Sequence, residues 1–485
     1  MPAINGKQYI DRIDRLKTAV WMDGDPVTGK ISEHPAFKGV MKSQGQLYDF
    51  QLEARVKPCM TYPSPLSGKP VGMSYLQPKT IEDLVNRRKM IQHWALLNNG
   101  MMGRSPDYMN TVIMAFASSV GLLTGKDHCF PENITKFYEY ARENDRSITH
   151  TFIDPQVNRA HYHFEHTEEP IAARIVERNA AGIVVKGAKV LATQGGITDE
   201  ILVLSAAGFE AKDKGFSFSI PSNAKGLKFI CRDSFVGGES AFDHPLSSRF
   251  EEMDTIVVFD DVLVPWDRVF YFDNPEISNT FLASSSFSAF TMHQVVARRI
   301  VKTEFILGIV QSIIDMINIG GYQHVQEKAT EIIVALETMK ALLFKAEMEA
   351  QVDEWGYMRP DQLTLQIAIN LFPKIYPRFS EIIQLLGASG LMTIPTENAF
   401  RSGIRKDLDQ YLQGASKKAE DRIKLFRLAW DISMSSFGTR ETLYERFFFG
   451  DPMRLSSQLY SAYDSQPYVD RVDAILSPTD RSADD

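Results

Sequence analysis

The sequence predicts an α+β chain: a helical N-terminal region, a middle region forming an antiparallel β-sheet or barrel, and a C-terminal helical bundle. Three observations predict it. Helical spacing and helix caps prevail up to about residue 146. From 147 to 274 short β-branched runs appear, split by Gly, Asn, Asp and Pro, with no long helical pattern between them. From 275 onward a helical seam returns. A chain of 485 residues exceeds what one core supports, so 1–146, 147–274 and 275–485 are read as separate domains.

In the first region, "TIEDLVNRRKMIQHWALLNNG" opens on Thr80 with Asp83 three positions later, the pattern of a capping box, and stops at Gly100. "SPDYMNTVIMAFASSVGLL" reads as a second helix, with Ser105 as its cap and Pro106 in its first turn. The middle runs, among them "EILVLSAAGF", "GLKFICRDSF" and "DTIVVFDDVLVPWDRVF", lack the intervening helices that a parallel βαβ sheet needs. In the third region Val325, Ala329, Ile332, Leu336, Met339, Leu343 and Ala346 recur at alternating spacings of four and three, an apolar seam suited to a four-helix bundle.

A net charge of −8 gives no general attraction to nucleic acid or anionic membrane, so neither is expected as a partner. Cys59, Cys129 and Cys231 are scattered and odd in number, which argues against a disulfide framework and for a reducing, cytoplasmic compartment. The first residues carry charges where a signal peptide needs an apolar run. The most apolar stretch, 304–321, holds Glu304 and Asp315 and reads as a buried helix, not a membrane span.

Several motifs are absent or incomplete. There is no GxGxxG and no GxSxG, and "GLLTGKD" lacks the length and the Ser/Thr of a P-loop. His161, His163 and His166 in "HYHFEH" have no clustered Cys or carboxylate beside them and read as a solvated strand or loop, so no metal is expected.

Five stretches carry more. "GRSPDYMN" (103–110), "THTFIDPQVNR" (149–159), "VLATQGG" (190–196), "HPLSSRFEEMDTIVVFDDVLVPWDRVF" (244–270) and "FFFGDPMR" (447–454) occur in this order. Together they resemble the oxygenase component of two-component 4-hydroxyphenylacetate 3-monooxygenases, a family with chlorophenol and nitrophenol relatives and an acyl-CoA dehydrogenase-like fold. The resemblance implies a reduced-flavin-dependent monooxygenase that ortho-hydroxylates a phenol to a catechol through a C4a-hydroperoxyflavin. It implies FAD, used as FADH2, with O2 as co-substrate, and a homotetramer. By position in these motifs, Arg104, Ser105, Pro106, Asp107 and Tyr108 line the phenol pocket, His150 contacts phenol and flavin, and Ser205 and Ala206 hold the far end of the substrate. Gln156, Val157, Asn158 and Arg159, then Thr193, then Asp451, Pro452, Met453 and Arg454, are implied flavin contacts.

The residues themselves suit that chemistry. Arg104 and Tyr108, four apart, would share a helix face. A free phenol has a pKa of about 10, so ionising it at neutral pH costs roughly 4 kcal/mol. Charge-assisted hydrogen bonds in a dry site offset much of that. Arg104 stays protonated and cannot be the base, whereas His150 can accept a proton. His293 in "FTMHQVVARR" is a second candidate for the base, because the resemblance to the halophenol branch of the family implies a base histidine in this region. Without a nicotinamide fingerprint, reduced flavin must come from a separate NAD(P)H:flavin reductase. Two other classes stay open: a 4-hydroxybutyryl-CoA dehydratase-like enzyme, although "LNNGMMGR" lacks the cysteine an iron–sulfur cluster would use, and a non-catalytic flavin-binding protein.

Overall fold

The computed structural model describes residues 2–157, 170–205 and 211–477. Asn158, Arg159, Ala206 and the three histidines of 161–166 lie outside the described residues. The chain opens with α1 (Gly6–Leu16), followed by α2 (Pro35–Phe50), α3 (Ile81–Asn98), α4 (Pro106–Ser118) and α5 (Pro131–Asn144). The capping box at the head of α3 forms as read. The Asp83 amide donates to Thr80 Oγ1 at 3.1 Å, and the Thr80 amide donates to the Asp83 carboxylate at 3.0 Å, satisfying donors that the helix leaves orphaned. Ser105 does not cap α4 as expected. Its hydroxyl donates to Asp107 Oδ1 at 2.6 Å instead, and Pro106 presets the first turn. Every residue of α4 is buried.

Two short strands, β1 (Val20–Met22) and β2 (Asp25–Pro26), interrupt the N-terminal helices. Strands this short carry no readable period. The middle region supplies β3 (Ile148–Thr151), β4 (Arg174–Asn179), β5 (Gly182–Thr193), β6 (Glu200–Leu204), β7 (Ser217–Pro221), β8 (Leu227–Cys231), β9 (Asp254–Pro265) and β10 (Val269–Tyr271).

These strands form two open sheets, in the orders β2-β1-β8-β9-β5-β4 and β10-β7-β6-β3. Most pairs are antiparallel, but β1–β8 and β3–β6 are parallel. Among the described residues no closed barrel results, because the two sheets keep their own edges. β3 enters from the helical region alongside β6 and cannot continue a meander. A bridge between Ile153 and Val190 links the sheets where β3 ends.

The C-terminal helices are α6 (Phe287–Met316), α7 (Gln323–Met348), α8 (Gln362–Gly387), α9 (Ala419–Ser433), α10 (Ser436–Phe447), α11 (Pro452–Ala462) and α12 (Gln466–Leu476). The seven seam residues of α7 are all buried. α6 packs on α7 and α8 and also on α3 and α4, so it joins the bundle to the N-terminal helices. Its buried Arg298, Arg299 and Lys302 are paired with Glu441 and Glu445 of α10. Removing one partner from such a pair leaves an uncompensated buried charge. No helix among the described residues is long and apolar enough to cross a membrane.

Candidate active site

β3 has all four side chains buried, and its pleat sorts them. Thr149 and Thr151 point one way: Thr149 Oγ1 donates to the Thr193 carbonyl at 2.6 Å and Thr151 Oγ1 to the Val190 carbonyl at 2.9 Å. His150 takes the other direction and meets α4. Its ring centroid lies 5.9 Å from that of Tyr108, and the Phe152 ring stacks on it at 5.6 Å. The chain continues to Gln156 and Val157, both exposed.

Arg104 precedes α4 instead of lying on it, so the shared helix face expected of Arg104 and Tyr108 is not how they meet. The guanidinium folds back over the helix start, 4.3 Å from the Tyr108 ring centroid and 4.6 Å from that of Phe448. Its Nη1 donates to the Tyr444 hydroxyl at 2.8 Å. The Tyr108 ring in turn meets Phe448 edge-on at 5.4 Å. Three regions of the chain therefore converge here: the segment leading into α4, strand β3, and the end of α10.

The electrostatics of this cluster are those of a dry site. Burial raises the Tyr108 hydroxyl, with Arg104 opposing. Burial, then the Arg104 charge, holds the His150 imidazolium well below its ordinary range. A neutral imidazole keeps one ring nitrogen as an acceptor. His150 Nδ1 and Arg104 Nε are both buried without a hydrogen-bond partner among the described residues. Two orphaned polar atoms in one cluster fit a phenolic oxygen and the polar edge of a flavin.

Main-chain geometry holds Arg104. The amides of Gly103 and Arg104 each donate to the Glu252 carboxylate at 2.9 Å. Burial raises the acid of Glu252, while Arg440 opposes. Asp107, also buried, accepts from Ser105 and from Gln294 Nε2 at 2.8 Å. Thr193 is buried, and its hydroxyl donates to Asp254 Oδ1 at 2.7 Å. Asp254 is bound by Arg440 at 2.9 and 3.1 Å and by Arg232 at 3.2 Å, and these guanidiniums hold its carboxyl far below the usual range in spite of its burial.

Other expected site residues lie elsewhere. His293 on α6 is buried, with Nε2 2.9 Å from Glu347 Oε1, and Glu347 also binds Arg88 Nε at 2.8 Å. Ser205 is buried at the end of β6, its hydroxyl engaged with the main chain of Lys214 and Phe216. Asp451 caps α11 by accepting from the Met453 amide at 2.7 Å, and Asp451, Met453 and Arg454 are exposed. Tyr444, Phe448, Glu252, Gln194 and Arg440 are site residues that sequence reasoning missed. Phe448, Glu252 and Gln194 do sit inside three of the motifs quoted above.

The N-terminal model of the 4-hydroxyphenylacetate 3-hydroxylase family matches residues 5–271 and the C-terminal model residues 278–477. A probable 4-hydroxyphenylacetate 3-monooxygenase of Bacillus subtilis is 57% identical over 477 residues, covering 98% of this chain and 99% of the relative. The crystal structure of a 4-hydroxyphenylacetate 3-monooxygenase oxygenase component, complexed with FAD and 4-hydroxyphenylacetate, superposes with a TM-score of 0.93 at 43% identity over 98% of each chain. An archaeal 4-hydroxybutyryl-CoA dehydratase shares the fold, with a TM-score of 0.87 at 19% identity, covering 98% of this chain and 96% of that one.

Proposed function

The chain belongs to the 4-hydroxyphenylacetate 3-hydroxylase family, and from that premise we propose that it is the oxygenase component of a two-component FADH2-dependent monooxygenase. It hydroxylates 4-hydroxyphenylacetate, or a closely related phenol, beside the hydroxyl group to give a catechol. The observation that carries this reading is the convergence of half-buried Arg104 with buried Tyr108 and His150 in one cluster.

Reduced flavin, when bound, supplies with O2 the electrophilic oxygen, and this chain's residues prepare the ring. Arg104 and the Tyr108 hydroxyl stabilise charge on the phenolic oxygen. His150 accepts its hydrogen bond at a ring nitrogen. Because burial and Arg104 make this imidazole a poorer base than a free one, it takes the proton as negative charge develops beside it, not beforehand. The rings of Phe152 and Phe448 help keep water out. Gln156, Val157 and Thr193 are the described residues assigned to the flavin next to β3 and β5; Asn158 and Arg159, assigned with them, lie outside the described residues.

Asp451–Arg454 would hold flavin from the exposed start of α11. No residue of α11 or α12 is buried, although both helices carry exposed apolar residues such as Tyr460 and Ile475. That supports a homotetramer in which neighbouring subunits cover these helices. A reductase that draws on NAD(P)H feeds the reaction, which suits a cytoplasmic setting.

The test is a panel of phenols, 4-hydroxyphenylacetate, 4-nitrophenol and 4-chlorophenol included, given to purified protein with NADH and FAD. Catechol is expected only after an unrelated flavin reductase is added. Catechol formed at full rate without reductase would refute the two-component reading, and no catechol from any phenol would refute the activity.

A further inference from the structure

We infer that Glu252 is a positioning residue for the phenol site, fixing Arg104 through its main chain; this rests on the function proposed above. Glu252 lies just ahead of β9 and is fully buried. Its Oε2 accepts from the Gly103 amide and its Oε1 from the Arg104 amide, both at 2.9 Å, and Oε1 also accepts from Gln194 Nε2 at 2.7 Å. Gln194 Oε1 in turn accepts from Gln44 Nε2 at 2.6 Å, and the same Gln44 nitrogen reaches the Arg104 carbonyl at 3.4 Å. One side-chain network, Gln44–Gln194–Glu252, thus holds Arg104 at both its N–H and its C=O.

The main chain at 103–104 precedes α4, so no helical hydrogen bond secures it. From the other side it is pressed by Tyr444: a Cβ on Gly103 would lie 2.1 Å from the Tyr444 hydroxyl oxygen. The strand of chain is therefore pinned between the carboxylate and the phenol ring, and its side chain emerges against Tyr108 and Phe448.

Two features set this carboxylate apart from a filler of the core. Its bonded partners all donate, and Arg440 Nη1 stands 3.8 Å away, so donors and a cation face this carboxylate. Gln194, which shares its oxygen, has a φ of 63°, a left-handed conformation that non-glycine residues rarely adopt and that recurs at functional sites. Arg440 also binds Asp254, which holds Thr193. The phenol half of the site and the strand assigned to flavin are thereby set in one register. A misplacement of about 1 Å is enough to lower a rate about a hundredfold.

The test is Glu252→Gln, which keeps the shape but turns one acceptor into a donor facing an N–H. Hydrogen exchange of the peptide spanning 101–108 should quicken about ten- to hundredfold, the loss for a charged hydrogen bond, with little change elsewhere. The KM for 4-hydroxyphenylacetate should rise by a similar factor while reduced-FAD affinity holds within about twofold. In an Arg104→Ala background the same substitution should change KM by less than about twofold, because two residues acting through one contact are not additive. Additive effects, or unchanged exchange at 101–108, would overturn the proposal. A wild-type protein that makes no catechol would refute the function, while the exchange measurement would still decide whether Glu252 holds Arg104. If Glu252→Gln does not fold, Gln44→Ala replaces it and must show faster exchange at 101–108 and the same dependence on Arg104; without them the proposal falls.

Discussion

The His150 and Tyr108 rings lie with centroids 5.9 Å apart, tilted by 37°, one on a strand and the other on a helix. Their meeting follows from two local rules. Alternation along β3 turns His150 away from the threonines that bond β5. The parallel pairing of β3 with β6, His150 opposite Leu202, then sets the strand beneath α4. His150 and Tyr108 are thus built into a sheet edge and a fully buried helix, and rigid elements hold a site more tightly than loops do.

That burial gives His150 a signature in the pH dependence of stability. In the folded protein its imidazolium is held well below the ordinary range, by burial first and by Arg104 second, while the unfolded chain binds the proton at about 6.5. As pH falls below about 6.5 the unfolded state takes up a proton that the folded state refuses, so stability drops by up to about 1.4 kcal/mol per pH unit. Asp145, whose acid burial lifts to about 6, works with the opposite sign over about pH 4 to 6, and comparison with a variant cancels it. Urea unfolding of wild type and His150→Asn at neutral and mildly acidic pH should show the steeper loss in the wild type. Equal slopes would mean that His150 takes its proton in the folded state as readily as in the unfolded chain.

Gly103→Ala should distort the phenol site without touching the residues assigned to the flavin. The new Cβ would sit 2.1 Å from the Tyr444 hydroxyl oxygen and 2.4 Å from the nearest ring carbon, so the Tyr444 ring must move. Overpacking of this kind costs typically about 1–3 kcal/mol. Thermal melting should register the loss, and the KM for the phenol should rise. A variant as stable and as tight for phenol as wild type would show that the Tyr444 side chain has room to yield.

Tyr444→Phe isolates one hydrogen bond. It removes the 2.8 Å partner of Arg104 Nη1 and leaves that nitrogen, among the described residues, the Gly103 carbonyl at 3.4 Å. Depriving a buried charged donor of its partner costs about 1–3 kcal/mol, and for half-buried Arg104 the cost falls toward the lower end. The expected result is lower stability and weaker phenol binding in an equilibrium titration. Unchanged phenol affinity would show that Arg104 keeps its place without Tyr444.

Much of this site was legible in the sequence, because the motifs are local. The segment before α4 and the β3 strand each carry their candidate residue, Arg104 and His150, within a few positions of helix or strand signals. Tyr444, Glu252 and Arg440 were not legible. Each is an ordinary residue type, reaching Arg104 and its neighbours across long sequence separations, and no period or spacing encodes such a contact. That the middle region closes no barrel was not legible for a related reason. A barrel and two sheets share the same alternation along each strand, and closure depends on pairing partners, here the parallel entry of β1 and β3. The Ser105 cap was misread because Asp107, two residues on, took its hydroxyl.

The two histidines make different predictions, and the structure separates their surroundings. His150 sits with Arg104 and Tyr108, whereas His293 is bonded to Glu347, which Arg88 also holds. Removing His150 should slow hydroxylation about 10²- to 10⁴-fold, the range for a positioned proton acceptor. The reaction of reduced flavin with O2 does not need that proton acceptor, so reduced flavin should still be consumed and H2O2 should replace catechol. His293→Ala strips a buried carboxylate of one partner, which lowers stability by about 1–3 kcal/mol, but product formed per reduced flavin consumed should stay near the wild-type value. The measurement is that ratio in both variants, with folding checked by circular dichroism. Full coupling in His150→Ala together with collapsed coupling in His293→Ala would move the proton acceptor to α6.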